Sequence, residues 1–505
     1  MRFERSLEQF SLSNPSFQRK EKLKLMDFSK IKKIYMIGVK GVGMTMLAQY
    51  FSTKGFIVNG SDISEKFMTD EILVKLNIKV FEKFSKDNIP RDTDLIIYST
   101  AYNAERNEEV ASALVGKIKT LTYAQALAEI FNQKYGIAVI GSHGKTTVTA
   151  WLGYVVWKAG LNPNVMVGAN VPQFAGATLV GKSDYLIIEA DEYQNKLKYF
   201  QPKVVILNNI DYDHPDFFST KEDYENVFAE FIKKIPSKGF LIANFDDPII
   251  RKIVFKNYHG KIITYGINET ADYVAYDMKV KNGMQYFKVR FLQDSLLMKK
   301  NTILPTHFIK GEQLFFIKLF GQHNISNALA VIVAGMELGI ELGQIKKFLG
   351  EFQGTARRLQ ILGKFNGAII IDDYAHHPTE IKASLNALRQ KYGNKKMIVI
   401  FHPHTFTRTR ILLDDFAKSF IVADEVIVLD IYGSVREEQG GVSSNDLVKK
   451  IGIMNHKLEI RQIVKNISTL EKCEAYLREH IEKDNIVVLM GAGDVFKIGE
   501  RLIRN

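Results

Sequence analysis

The chain has 505 residues, 46% of them hydrophobic and 25% charged, a globular composition too long for one core, so about three domains are expected. A formal charge of +12 invites a nucleic-acid reading, but the excess is scattered through stretches such as Arg19 to Lys24, Lys299-Lys300 and Lys449-Lys450, the pattern of a solvated surface rather than a binding stripe. The single cysteine, Cys473, excludes a disulfide framework and a cysteine metal site and suits a reducing compartment.

Residues 1–30 carry a basic run but no apolar core of a signal peptide, so they are expected to form an exposed extension and the protein to be cytoplasmic. No stretch approaches the ~20 apolar residues of a membrane span. From residue 31, β-branched runs ending in Gly, Asp or Asn alternate with helical patterns, as in parallel sheets built from βαβ units. A first series, 31–133, has strands at Ile34 to Gly38, Phe56 to Asn59 and Asp94 to Tyr98, then a helix at Tyr123 to Phe131. A second, 134–355, has strands at Tyr135 to Gly141, Tyr185 to Glu189, Val204 to Asn208 and Phe240 to Asn244. Its later part, Tyr273 to Phe320, alternates apolar and polar residues and reads as attached antiparallel strands, and a helix covers Asn324 to Leu338. A third series, 356–505, has strands at Ala368 to Asp372, Met397 to Phe401, Val426 to Asp430 and Ile486 to Met490.

The strongest local signal is Gly141-Ser142-His143-Gly144-Lys145-Thr146-Thr147, between a strand and a helix. It is a shortened form of the Walker A pattern. Glycines let backbone N–H groups converge on phosphate oxygens at a helix N-terminus, the Lys145 ammonium adds charge, and the Thr146 hydroxyl suits Mg2+. Two strand ends offer oxygen ligands for such a cation: Glu189-Ala-Asp-Glu192 and Asn208-Asn-Ile-Asp-Tyr-Asp-His214, where Glu189 fits easily and His214 less so. Gly38-Val-Lys-Gly41-Val-Gly43-Met44 opens the first helix, and Asp62 lies ~20 residues beyond, where a dinucleotide fold places a ribose-binding acid. That turn holds any pyrophosphate, so an NAD-linked dehydrogenase and a binder of a UDP-linked substrate are both compatible with it. The second phosphate loop decides for the latter, because a dehydrogenase has no use for Gly-Lys-Thr.

With these go Gly321-Gln-His-Asn324-Ile-Ser-Asn327, Arg357-Arg-Leu-Gln360, Asp372-Asp-Tyr-Ala-His-His-Pro-Thr-Glu380, His402-Pro-His-Thr-Phe-Thr-Arg-Thr409 and Gly491-Ala-Gly-Asp494. In this order, from about residue 31 to the end, the motifs resemble the Mur ligases, ATP-dependent amide-forming enzymes of peptidoglycan synthesis. The resemblance is strongest to the branch that joins L-alanine to UDP-N-acetylmuramate. It implies an α/β protein of three domains: a Rossmann-like domain for the UDP-sugar, a central P-loop-type ATPase domain with a mostly parallel sheet, and a Rossmann-like domain for the amino acid. It implies ATP and Mg2+ as cofactors, no nucleic acid or membrane partner, and a monomer or homodimer. By the same resemblance Lys145 and Thr146 hold phosphates and Mg2+, with Glu189 and His214 completing the metal shell. Asn324 contacts adenine, Arg358 reaches the γ-phosphate from the third domain, and Asp373 lies near the ATP ribose. Tyr374, His376, His404 and Arg408 line the amino-acid pocket, where a guanidinium fork suits a carboxylate.

Two segments depart from the family pattern. Tyr193-Gln-Asn-Lys-Leu-Lys198 replaces an acidic, small, aromatic segment after Glu192, and Thr405 stands where many relatives have arginine. The rival within the family is the recycling ligase that attaches a tripeptide to the same UDP-sugar, disfavoured by His402 to Thr409, Asp430 to Glu437 and Gly440 to Ser444. A nucleic-acid-stimulated P-loop ATPase is the rival from another class, and no recognition motif supports it.

Overall fold

The structure is a computed structural model that describes residues 25–291, 311–433, 437 and 439–504. Most of the expected N-terminal extension, the Lys299-Lys300 pair and residues 434–436 of the Asp430 to Glu437 motif lie outside the described residues.

Three sheets follow one another along the chain. The first contains β1 (Lys33–Ile37), β2 (Ile57–Ser61), β3 (Lys79–Phe81), β4 (Leu95–Tyr98) and β5 (Lys119–Thr122) in the order β3-β2-β1-β4-β5. All its pairings are parallel, with Ile34 against both Val58 and Leu95. Parallel strands covered on both faces read as continuous apolar runs, which is why β1 and β4 were visible in the sequence, whereas β3 and β5, at the edges, have no fully buried residue.

The second sheet has ten strands: β6 (Tyr135–Ile140), β7 (Asn164–Val171), β8 (Gly176–Leu179), β9 (Tyr185–Glu189), β10 (Val204–Leu207), β11 (Phe240–Asn244), β12 (Lys261–Gly266), β13 (Tyr273–Lys281), β14 (Met284–Phe291) and β15 (Gly311–Ile317). Their order is β15-β14-β13-β12-β11-β10-β6-β9-β7-β8. The β13-β14-β15 segment is antiparallel as expected, but β13 joins β12 in parallel. The helix Lys145–Lys158 fills the space behind this sheet with Val148, Trp151, Leu152 and Val155, all fully buried. Trp151 stacks on Phe352 at 5.2 Å and donates its indole N–H to the Leu349 carbonyl, so its polar edge is satisfied inside the core.

The third sheet runs β16-β17-β21-β18-β19-β20, from β16 (Gln360–Phe365), β17 (Ala368–Asp373), β18 (Met397–Phe401), β19 (Glu425–Val428), β20 (Ile463–Asn466) and β21 (Ile486–Met490). Only β16 is antiparallel to its neighbour. Cys473 is buried here, its thiol pushed up to about 12 by burial, which makes it an inert part of the core.

Strand adjacency positions the site. In an open α/β sheet, ligands gather at the carboxyl ends of the strands. The neighbours β10, β6 and β9 end at Leu207, Ile140 and Glu189, so three motifs far apart in sequence emerge side by side. In the third sheet the neighbours β17, β21 and β18 likewise end beside Tyr374, Gly491 and His402.

Candidate active site

The phosphate loop leaves β6 at Gly141 (φ +127°) and enters the helix Lys145–Lys158 through Gly144 (φ +80°). Both conformations favour glycine, and both positions lack room: a Cβ on Gly141 would lie 2.7 Å from the Asn209 carbonyl oxygen, and one on Gly144 2.7 Å from Asn327 Oδ1. The Lys145 ammonium donates to the Gly141 and Ser142 carbonyls and to Glu192 Oε2 at 2.9 Å. Burial works against its charge, but Glu192 and Asp191 outweigh it and hold the Lys145 pKa above its ordinary value. Tyr224 donates to the other Glu192 oxygen at 3.0 Å.

Thr146 Oγ1 donates to Glu189 Oε2 at 2.7 Å, so two of the three expected metal ligands meet. Burial pushes the Glu189 carboxyl up, against the Thr146 hydrogen bond and the charges of Lys145 and Arg358. Gly168 on β7 makes space for that carboxylate, since a Cβ there would lie 1.8 Å from Glu189 Oε1. His214, the third expected ligand, forms a cluster with Asp191 and Glu192 whose ligand atoms lie within 4.8 Å of one another. Its ring packs on Tyr193 at 4.6 Å between centroids. A hydroxyl, carboxylate oxygens and one imidazole at strand ends form a donor set that fits a hard divalent cation such as Mg2+.

The third domain reaches across this centre. Arg358 places its charge where Glu189 feels it, lies over the Tyr374 ring at 5.4 Å and donates from Nη1 to Glu380 Oε1 at 3.4 Å. His143 of the phosphate loop lies between Asp211 Oδ2 at 3.0 Å and Glu380 Oε1 at 3.4 Å. Burial lowers its pKa, yet the two carboxylates prevail and raise it to about 9. Thr379 donates to Asp211 Oδ2 at 2.6 Å, and Arg408 donates from Nε (3.1 Å) and Nη2 (2.9 Å) to Asp213 Oδ1. Burial opposes the Asp213 charge, but Arg408 holds that carboxyl well below the usual range.

Tyr374, His376, His404 and Arg408 come together as expected. Tyr374 and His376 have ring centroids 5.3 Å apart, His376 and His404 6.4 Å, and Arg408 Nη1 is 3.5 Å from His404 Nδ1. Burial lowers the His376 pKa to about 3 and, with Arg408 adding to it, the His404 pKa to about 4. Both rings are therefore neutral at physiological pH.

Other expected residues are engaged by the protein itself. The buried Asn324 amide donates to the Phe320 carbonyl and its Oδ1 accepts from Asn327. Asp373 accepts from the Leu359 and Ala375 backbone and from Ser384. Asp62 is buried and accepts from Lys40 N, Ile63 N and Tyr102 OH. Gly38 and Gly43 leave room for the rings of Tyr102 and Tyr123, Gly41 precedes the first helix, and Met44 lies in the core. In the departing segment, Gln194 and Asn195 take positive φ and Lys196 binds Asp191 at 2.6 Å. Thr405 also has φ +68°, unusual for a β-branched residue.

Sequence reasoning assigned no role to Glu192, Asp211, Asp213, Asn327 or Glu380, although all lie within motifs it singled out. Gly168 carried no signal, because its closeness to Glu189 arises only when β7 pairs with β9.

Comparison with known proteins agrees over most of the chain. Residues 33–135 match the Mur ligase family catalytic domain, 139–335 the Mur ligase middle domain and 357–493 the Mur ligase glutamate ligase domain. A UDP-N-acetylmuramate–L-alanine ligase of Desulfitobacterium hafniense is 35% identical, over 93% of this chain and 99% of that protein. One from Clostridium kluyveri is 37% identical, over 94% and 98%. The crystal structure of UDP-N-acetylmuramate-alanine ligase MurC from Thermotoga maritima superposes with a TM-score of 0.76 at 25% identity, covering 94% of this chain and 98% of that one. A murein peptide ligase from Psychrobacter arcticus shares the fold, with a TM-score of 0.69 at 23% identity. The chain belongs to the Mur ligase family.

Proposed function

We propose that this chain is an ATP-dependent carboxylate–amine ligase that joins L-alanine to UDP-N-acetylmuramate through an acyl phosphate, in the synthesis of peptidoglycan precursors. The relatives of matching length carry that activity in their names. The observation that carries the chemistry is the meeting of Lys145, Thr146 and Glu189 with Arg358 from another domain.

A carboxylate resists attack until one oxygen becomes a leaving group. The muramoyl carboxylate oxygen takes the γ-phosphoryl group, and ADP leaves. The uncharged amine of L-alanine then attacks the acyl carbon, the C–N bond forms, phosphate departs with the C–O electron pair, and the nitrogen gives up its proton. Phosphoryl transfer needs positioning and charge neutralisation rather than covalent help. The loop 141–147 cradles the phosphates, Lys145 exchanges its Glu192 contact for them, and Arg358 covers the transferred group from the third domain. Thr146, Glu189 and His214 would hold Mg2+, which supplies charge neutralisation between the phosphate oxygens. Asn324 lies toward the adenine and Asp373 toward the ribose, while the turn of Gly38, Gly41, Gly43 and Met44, held in place by Asp62, forms the UDP end. With His376 and His404 neutral, Arg408 is the cation of the alanine pocket, and its Nη1, held only by long 3.5 Å contacts to His404 and not by Asp213, would turn to the incoming carboxylate. On this reading the three domains are 31–133, 134–355 and 356–505, and the enzyme works in the cytoplasm as a monomer or homodimer.

The test is phosphate release with ATP, Mg2+ and UDP-N-acetylmuramate, offering L-alanine, L-serine, glycine and the tripeptide separately. L-alanine is expected to give the highest kcat/KM. Preference for the tripeptide would move the chain to the recycling branch, and stimulation by DNA or RNA without the UDP-sugar would overturn the ligase reading.

A further inference from the structure

We infer that Glu380 is the positioning residue that makes docking of the third domain a condition for aligning the phosphate-transfer site. It is the third residue of the helix Pro378–Tyr392, where a glutamate ordinarily folds back on the N-cap amide. Here the carboxylate passes the His377 cap and accepts from the His376 backbone N–H at 3.2 Å through Oε2. Its Oε1 lies 3.4 Å from Arg358 Nη1 and 3.4 Å from His143 Nδ1. One carboxylate, its side chain 10% exposed, thus ties together the arginine proposed for the γ-phosphate, the phosphate loop of the central domain and the turn that carries the alanine pocket.

The geometry gives this contact a direction. Arg358, His376 and Glu380 travel together on the third domain, and His143 belongs to the central one. When the domains separate, Glu380 loses its only central-domain partner among these, and of its two carboxylates the His143 ring keeps Asp211. When they dock, Glu380 sets Arg358 over the loop while drawing His143, and the backbone it anchors, toward the same point. The charges facing this pair are Asp211 and the His377 ring, 4.9 Å from the His143 ring, together with Arg358 and His376. The imidazolium that Glu380 and Asp211 sustain is a further cation beside the phosphates.

This inference rests on the proposed assignment of the loop to ATP, and the experiment separates the two. Glu380→Gln keeps the shape and removes the charge. It should lower kcat about 10- to 100-fold, the size of effect seen when a reacting group is misplaced by ~1 Å. KM for the UDP-sugar should change little, because on the proposed reading its UDP end is held by the 38–44 turn of the first domain, which Glu380 does not touch. The basic limb of the rate profile should move to lower pH, since His143 loses one of the two carboxylates that keep it protonated. Adding His143→Gln to Glu380→Gln should cost less than the product of the single effects. A kcat within twofold of the parent, or fully multiplicative losses with an unmoved basic limb, would overturn the inference. Should Glu380→Gln fail to fold, His143→Gln alone must show the kcat loss and lose the basic limb, since the group that titrates there is gone. If Lys145→Ala also retains turnover, the ATP reading itself fails; if it does not, only the role of Glu380 does.

Discussion

Two glycine turns of this molecule share a backbone plan and differ in everything chemical. Each follows the first strand of its sheet, starts at a glycine with positive φ (Gly38 at +81°, Gly141 at +127°) and opens a helix. Each has a lysine in or beside the turn and an acid on a neighbouring strand end. In the first, Lys40 is 2% exposed and donates to the Ile63 and Glu65 carbonyls and to Glu82, while Asp62 is saturated by Lys40 N, Ile63 N and Tyr102 OH. In the second, Lys145 leans on a buried glutamate, and Glu189 has the Thr146 hydroxyl as its hydrogen-bond donor. The first pair is consumed in holding its turn together. The second is poised to exchange one partner for another. A glycine turn therefore supplies only the backbone cradle, and the function lies in which side chains around it can change partners.

The sharpest way to break this comparison is at the two lysines. Lys145→Ala should abolish ADP formation with the fold intact, a loss of about 3 to 4 kcal/mol of transition-state stabilisation, or two to three orders of magnitude in rate. Initial rates together with circular dichroism check this. A folded variant with near-normal turnover would make Lys145 as structural as Lys40 and erase the distinction.

A smaller effect is expected at the acid. Gly168→Ala puts a methyl group where Glu189 Oε1 now lies, 1.8 Å from the position of the new Cβ. The carboxylate must swing away from Thr146, because its terminal atoms give more easily than the β7 backbone. Turnover should fall about 10- to 100-fold, with a raised Mg2+ requirement and little change in melting. An unchanged Mg2+ dependence would show that Glu189 tolerates displacement and sharpen the comparison toward Lys145 alone.

What the sequence revealed follows the same physics. Strands buried on both faces, such as Tyr185–Glu189, Phe240–Asn244, Met397–Phe401 and Ile486–Met490, were legible to the residue, because continuous β-branched runs have few other uses. Lys79–Phe81, Lys119–Thr122 and Ile463–Asn466 were missed, because half-exposed edges mix polar residues with apolar ones. At the site, motifs marked the residues that their own local turns present, Lys145 and Thr146 foremost. The partners of those residues were not legible. Glu380 against His143, Asp213 against Arg408 and Gly168 against Glu189 exist only after strands or whole domains pack together, and no local pattern encodes that meeting. The structure also holds Asp62 and Asp373 by several internal donors each, which neither the spacing of Asp62 from its glycine turn nor the motif resemblance behind Asp373 could foresee.

The smallest functional effect is expected at the other lysine, and there the measurement is stability. Lys40→Met keeps the stem length and removes the ammonium, leaving the carbonyls of Ile63 and Glu65 without this donor. Losing hydrogen bonds to a charged group costs about 2 kcal/mol. For a domain of about a hundred residues that is roughly a 10 °C fall in its unfolding midpoint. The loss should appear as an earlier first transition in calorimetry, with the transitions of the other two domains in place. Turnover well below that transition should match the parent, because the Lys40 ammonium is enclosed and aimed at the 63–65 segment rather than outward. A large rise in KM for the UDP-sugar without loss of stability would reverse the assignment: Lys40 would then be a ligand-facing cation, and the two turns would differ in substrate rather than in kind.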